Sequence, residues 1–297
     1  MIQKQIGLQN GTLLEVQLTG CATGPVIMLP GAKTSVYGAE AEALKQWGVD
    51  PELGRHLSEG LSDTFQVLTF DYEKHIMQHP QPETFTPANI VQDLLRIADG
   101  MDVKRFSYYG YSWLAVIGLQ LALRTDRLDS LVMGGFPPYR GPYDEMLAVT
   151  TATHTLALAH LQTSESTKAA SLDAGQPDAY DWDAAPVALN SRQTQQFRTL
   201  YAALSGFDDT VIHEKLRNLP KLVFAGEADT IVYGERFGGV TVDIAGRLQE
   251  SEVDLTRHGW DVAMILGAEG DHTKAMQPAA VLPVIVPWLL RCLVDPK

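Results

Sequence analysis

The chain has 297 residues, with 23 basic against 36 acidic side chains and a formal net charge of −13 at pH 7. That balance argues against a nucleic-acid-binding surface and a polybasic membrane anchor, so neither nucleic acid nor a membrane is an expected partner. A hydrophobic content of 45% excludes disorder and can fill a sizeable core, and the length suits one α/β domain with an insertion. Cys21 and Cys292 are too few for a disulfide framework or a cysteine-rich zinc site; near opposite chain ends, they read as two buried thiols. The residues after Met1 form no continuous apolar stretch, which makes the cytoplasm the expected location.

The first predicted element is a hairpin. Gln5 to Leu8 and Thr12 to Leu18 flank Asn10-Gly11, with Leu14, Val16 and Leu18 alternating. Short apolar runs then alternate with helical stretches, the pattern of a largely parallel sheet. The strand-like runs are Val26 to Leu29, Gln66 to Phe70, Phe106 to Tyr109, Ser130 to Met133, Lys221 to Ala225 and Val262 to Leu266. Helices are predicted over Pro87 to Ala98, capped by Thr86, over Leu114 to Arg124, and within Glu235 to Arg257. Residues 137–206 break the alternation: helical stretches Ala148 to Ala159 and Arg192 to Leu204 surround an acidic break. The interval is too long for a bare loop and reads as a small helical insertion over one end of the sheet. Val281 to Leu293 is too short to span a bilayer, carries Pro283 and Pro287, and reads as a buried, kinked helix.

Gly110-Tyr111-Ser112-Trp113-Leu114 lies between a strand-like run and an apolar helical stretch. Strand, sharp turn, helix is the setting of a nucleophile elbow: the turn exposes the Ser112 hydroxyl and aims the Trp113 N–H at a developing oxyanion. Gly110 lets the turn tighten, whereas Leu114 stands where Gly-x-Ser-x-Gly has its second glycine. A second Gly-x-Ser, at Gly60-Leu61-Ser62, precedes a strand and lacks that setting. A serine nucleophile needs a base, and the base an orienting carboxylate. His272, in Gly270-Asp271-His272-Thr273, follows the last strand-like run and so belongs at the sheet end where Ser112 lies. Lys221 to Ala225 leads through Gly226 to Glu227 and Asp229, of which Asp229 is the preferred acid.

The other histidines fit less well. His75 and His79 have the i,i+4 spacing of a helical metal pair, but Pro80 and Pro82 oppose a helix there. His213-Glu214-Lys215-Leu216-Arg217 lacks the second histidine of the zinc-protease motif. His56, His154, His160 and His258 read as surface residues on helices or their ends. After Val26 to Leu29, Pro30-Gly31-Ala32 forms a glycine turn in which the Ala32 N–H can join that of Trp113 as a second oxyanion donor.

Leu29-Pro30-Gly31-Ala32, Phe70-Asp71, Gly110-Tyr111-Ser112-Trp113, Gly226-Glu227-Ala228-Asp229 and Gly270-Asp271-His272 together resemble the α/β-hydrolase superfamily, in order and over nearly the whole chain. The resemblance implies a mostly parallel sheet of about eight strands, the second antiparallel, flanked by helices. It implies a core of residues 1–136 and 207–297, a helical cap at 137–206, and a triad falling on Ser112, Asp229 and His272. Pro30 replaces a histidine common in the family, and Asp71 lacks its Arg-Gly continuation. Gly-Tyr-Ser-Trp is similar to the elbow of prolyl iminopeptidases, without its second half. The expected reaction is hydrolysis of a small or medium carboxylic ester or lactone through an acyl-enzyme, with no metal or organic cofactor. A serine argues against the haloalkane dehalogenases and epoxide hydrolases, which place aspartate at the elbow. Amide, thioester or carbon–carbon cleavage, acyl transfer, and ligand binding without turnover are the alternatives. Phe136, Tyr139, Tyr143, Trp182 and Trp113 are the expected pocket walls.

Overall fold

The structure, a computed structural model, describes residues 1–163 and 189–294. Strand β1 (Ile2–Gly7) pairs antiparallel with β2 (Leu13–Gly20), placing Ile2 opposite Leu18. The turn between them is wider than two residues, because Leu8 N donates to Thr12 O and Gly11 N to Leu8 O. The next strands are β3 (Val26–Leu29), β4 (Gln66–Thr69), β5 (Phe106–Tyr111), β6 (Leu128–Gly134) and β7 (Lys221–Gly226). Short strands β8 (Thr230–Val232) and β9 (Thr241–Asp243) form a separate antiparallel ribbon that the sequence pattern does not announce, and β10 (Trp260–Ile265) closes the series. The main sheet has eight strands in the order β1-β2-β4-β3-β5-β6-β7-β10. Only β2 runs antiparallel to both its neighbours; from β4 to β10 every pairing is parallel. The six strand-like runs all lie in this sheet.

Ten helices join the strands among the described residues: α1 (Ala39–Gln46), α2 (Leu53–Ser62), α3 (Tyr72–Gln78), α4 (Pro87–Gly100), α5 (Trp113–Ala122), α6 (Tyr143–Thr163), α7 (Ser191–Ala202), α8 (Ile212–Lys215), α9 (Ile244–Arg257) and α10 (Pro278–Leu293). Because successive strand residues point to opposite faces, a sheet covered on both sides needs continuous apolar strands. Strand β7 obeys this: Leu222 and Phe224 pack in one core with residues of α2 and α10, while Val223 and Ala225 pack in the other with residues of α4, α5 and α9. Helix α5 is buried from Leu114 through Ala122, as its apolar composition all round requires. In α10 the prolines Pro283 and Pro287, one turn apart, lie on the exposed side, while Val281, Ile285, Trp288 and Leu289 are buried.

Several expectations are corrected. Asp71 caps α3 by accepting from Lys74 N, so a helix does form before Pro80; it carries His75 and ends at His79. Their rings lie 4.9 Å apart, yet among the described residues no group of three metal-ligating side chains occurs. His154 is buried against Thr194 rather than exposed, because α6 and α7 pack on each other there. His258 stacks on His213 at 3.8 Å, and the side chain of His160 lies outside the described residues. Cys21 and Cys292 are free thiols, each partly exposed instead of buried. Among the described residues no helix is long and apolar enough to cross a membrane.

Helix α7 is fastened to α3 and the turn after it. Gln193 Nε2 donates to Met77 O, Gln196 Nε2 to Ile76 O, and Thr199 Oγ1 to Pro82 O. On the other side of the sheet α2 rests directly on the loop after β3. A Cβ on Gly54 would stand 2.4 Å from Lys33 O and 2.6 Å from the Ala32 carbonyl carbon. Gly54→Ala is therefore expected to lower the unfolding free energy by about 1–3 kcal/mol, as overpacking against fixed backbone does. Urea unfolding measures it; an unchanged midpoint would mean that the 32–33 loop gives way freely.

Candidate active site

Ser112, between β5 and α5, stands at φ 56° and ψ −127°, a conformation that residues other than glycine rarely hold. Its N–H is bonded to Gly134 O at 2.8 Å, which ties the turn to the neighbouring strand. Gly110 is required here, since a Cβ would lie 2.4 Å from Leu114 O. Leu114 itself is tolerated at the position of the second glycine because its main chain, not its side chain, makes the close approach to β5. A Cβ on Gly118 would meet Tyr108 Cε1 at 2.5 Å, and the Tyr108 hydroxyl donates to Leu114 O at 2.8 Å. The Leu114 side chain instead reaches the Gly31 turn.

Asp229, fully buried, accepts from His272 Nδ1 at 2.9 and 3.0 Å through its two carboxylate oxygens. Burial pushes its carboxyl above the usual range, and the hydrogen bond from His272 pulls the other way. Three backbone hydrogen bonds set this pair. Asp229 O accepts from Ile244 and Ala245 at the start of α9, and Ala228 N donates to Gly270 O. A Cβ on Gly226 would stand 1.9 Å from that same oxygen, so only glycine lets the acid loop and the histidine loop approach this closely. Glu227, the other candidate acid, is exposed and accepts from Gly267 N, bracing the histidine loop rather than the imidazole. On the opposite side, the Tyr111 hydroxyl donates to His272 O at 2.9 Å, with the two rings 5.2 Å apart.

Ser112 and His272 line one cavity of about 210 Å³, walled by Leu29, Leu53, Leu57, Tyr109, Leu114 and Met276. Among the described residues no hydrogen bond joins Ser112 to His272, although both line the cavity. Trp113 borders the cavity, and its main-chain N–H, at the first position of α5, has no acceptor within the helix. Ala32 lies between Gly31, which forms an isolated antiparallel bridge with Asp71, and Lys33. Ala32 does not line the serine cavity; it borders an open groove of about 810 Å³, and Lys33 lines both.

Three of the expected walls stand elsewhere. Phe136 packs on Tyr143 at 5.5 Å, and Tyr139 on His213 at 5.0 Å; none of the three lines the cavity. The aromatic run after β6 is used to seat α6, whose first residue is Tyr143. Trp182 lies outside the described residues. Two aromatic residues not foreseen, Phe85 and Phe197, close on Trp113 at 5.8 and 5.6 Å. Glu73 also lines the cavity and was not foreseen, although it follows Asp71 where an Arg-Gly continuation is missing.

No protein-family model matches the chain, and no curated protein matches its sequence. Solved structures do match over almost its full length. A structure from work on carboxylesterases of Nitrososphaera gargenis is 15% identical, with a TM-score of 0.59 and 98% of each chain covered. A thermophilic esterase from Thermogutta terrifontis is 14% identical at a TM-score of 0.56, covering 99% of this chain and 100% of that one. The enol-lactonase from Burkholderia xenovorans is 17% identical at a TM-score of 0.55, covering 97% and 99%. Together with the strand order, these likenesses give the chain the α/β-hydrolase fold.

The strain at Ser112 has a measurable sign. Ser112→Gly is expected to raise the unfolding free energy by about 1 kcal/mol over Ser112→Ala, since both remove the hydroxyl but only glycine relieves the backbone. Urea unfolding of the two variants checks this; equal midpoints would mean the turn is not strained.

Proposed function

We propose that the protein is a serine hydrolase acting on a small or medium carboxylic ester or lactone. The observation that carries the reading is a serine on a strained strand-to-helix turn, sharing one cavity with an imidazole held by a buried aspartate. In this reading His272 Nε2 takes the proton of Ser112 as Oγ attacks the carbonyl carbon. The main-chain N–H groups of Trp113 and Ala32 receive the negative charge of the tetrahedral oxygen. His272 then protonates the leaving group and, in the second half, activates the water that releases the acid. Asp229 holds the Nδ1–H tautomer and stabilises the imidazolium.

Two features narrow the substrate. A cavity of about 210 Å³ with largely apolar walls suits a short acyl chain better than a long one. In this reading helices α6 and α7, with the rest of the described residues in 137–206, serve as the cap: Phe197 of α7 reaches Trp113 beside Ser112. The neighbours of similar fold include carboxylesterases, an esterase and an enol-lactonase, which accords with ester or lactone chemistry. The reading requires no metal or organic cofactor, because every proton transfer is served by His272.

Hydrolysis of p-nitrophenyl esters from acetate to decanoate by the wild type, Ser112→Ala and Asp229→Asn tests it. The short esters should turn over fastest, Ser112→Ala should be inactive, and Asp229→Asn should lose on the order of 10³–10⁴ in kcat. Equal rates in wild type and Ser112→Ala would remove Ser112 as the nucleophile. Absence of turnover together with no fluorophosphonate labelling would favour a ligand-binding protein on a hydrolase scaffold.

A further inference from the structure

We propose that Glu73 is a positioning residue that fixes the separation of the two chain segments supplying the oxyanion N–H groups, an inference that rests on the serine-hydrolase reading. Glu73 stands in the first turn of α3 and lines the serine cavity. Its two carboxylate oxygens go to different places. Oε1 lies 3.4 Å from Lys33 Nζ, and Oε2 accepts from Trp113 Nε1 at 3.4 Å. Trp113 carries one proposed donor on its own main chain, and Lys33 directly follows Ala32, which carries the other. One side chain thus touches, from a third element, the side chain of Trp113 and that of Lys33, the residue after Ala32.

The rest of α3's start makes that element a firm base. Asp71 Oδ2 accepts from Thr34 N at 2.7 Å, while Oδ1 caps the helix through Lys74 N at 3.0 Å. Tyr72 N donates to Pro30 O at 3.0 Å. The loop from Pro30 to Thr34 is therefore pinned to residues 71–73 on both sides of Ala32, and Trp113 is referred to the same base through Glu73. The Lys33 and Glu73 side chains are 43% and 34% exposed, so solvent screens their attraction and the pair adds little to fold stability. Its effect falls on the cavity. A carboxylate beside a developing oxyanion opposes the reaction unless a cation sits on it, and Lys33 supplies that cation.

The test compares kcat and KM for p-nitrophenyl acetate in the wild type, Glu73→Ala, Glu73→Gln, Lys33→Met and the double variant Lys33→Met/Glu73→Gln. Rates are expressed per active site titrated with a fluorophosphonate, so that poorly folded protein does not count. Glu73→Ala should lower kcat by about 10- to 100-fold, as a displaced donor does, with KM within about twofold. Glu73→Gln, which can still accept from the indole, should recover part of the loss. Lys33→Met, which leaves the carboxylate unpaired, should be slower than the double variant. A purely structural role would lower thermal stability without that rescue. An unchanged kcat per site in Glu73→Ala, a change confined to KM, or a double variant no faster than Lys33→Met would overturn the proposal, provided the wild type labels and turns over. A wild type that neither labels nor turns over would overturn the hydrolase reading and this inference with it.

Discussion

A six-residue strand and a ten-residue helix, both buried, leave Ser112 a single residue in which to reverse the chain. The bond from Ser112 N to Gly134 O holds that residue at positive φ, and much of the surrounding structure follows from it. Because the helix must start directly under the strand it leaves, the two elements approach more closely than ordinary side chains permit. Gly110 and Gly118 have none, and Tyr108 fills the slot between them with its hydroxyl on Leu114 O. Leu114 is then free to point at the Gly31 turn, so the missing second glycine changes the wall of the cavity and leaves the elbow intact.

The same economy of backbone governs the other side of the cavity. Gly226 brings the acid loop against Gly270, and the histidine needs only a short reach to a buried carboxylate. Tyr111, one residue before the serine, holds the histidine main chain from below. Ser112, His272 and Asp229, the proposed triad, are thus each held by hydrogen bonds at main-chain atoms, just beyond β5, β10 and β7, three of the last four strands in the sheet order, with β10 at its edge.

What the sequence made legible is what periodicity and turn chemistry encode. Apolar runs gave the parallel strands, Thr86-Pro87 the start of α4, and the Gly110 turn its serine. Asp229 and Glu227 are only two residues apart, and their contrast in burial, which decides between them, appears only once α9 covers the first and leaves the second in solvent. The aromatic residues after β6 misled because composition does not say which way a helix leans; Phe136 and Tyr143 face each other and Phe207, not the serine. Helix α3 was hidden by the prolines beyond it, which end a helix but do not forbid one upstream. Glu73 was hidden with it, since its significance lies in contacts with residues 40 positions away in sequence on either side.

The fastening of α7 has a bearing on how this chain can change over time. Its glutamine and threonine side chains donate to main-chain carbonyls of Ile76, Met77 and Pro82. Main-chain acceptors are present whatever side chain stands there, so substitutions along the outer face of α3 leave the attachment in place. The recognition burden falls mainly on α7, with the Met77 sulfur as a side-chain acceptor beside these carbonyls, so most positions of α3, and the groove it borders, can vary without re-evolving the helix that closes over Trp113. Such one-sided attachment lets the surroundings of a reactive centre drift in sequence while its roof keeps its seat.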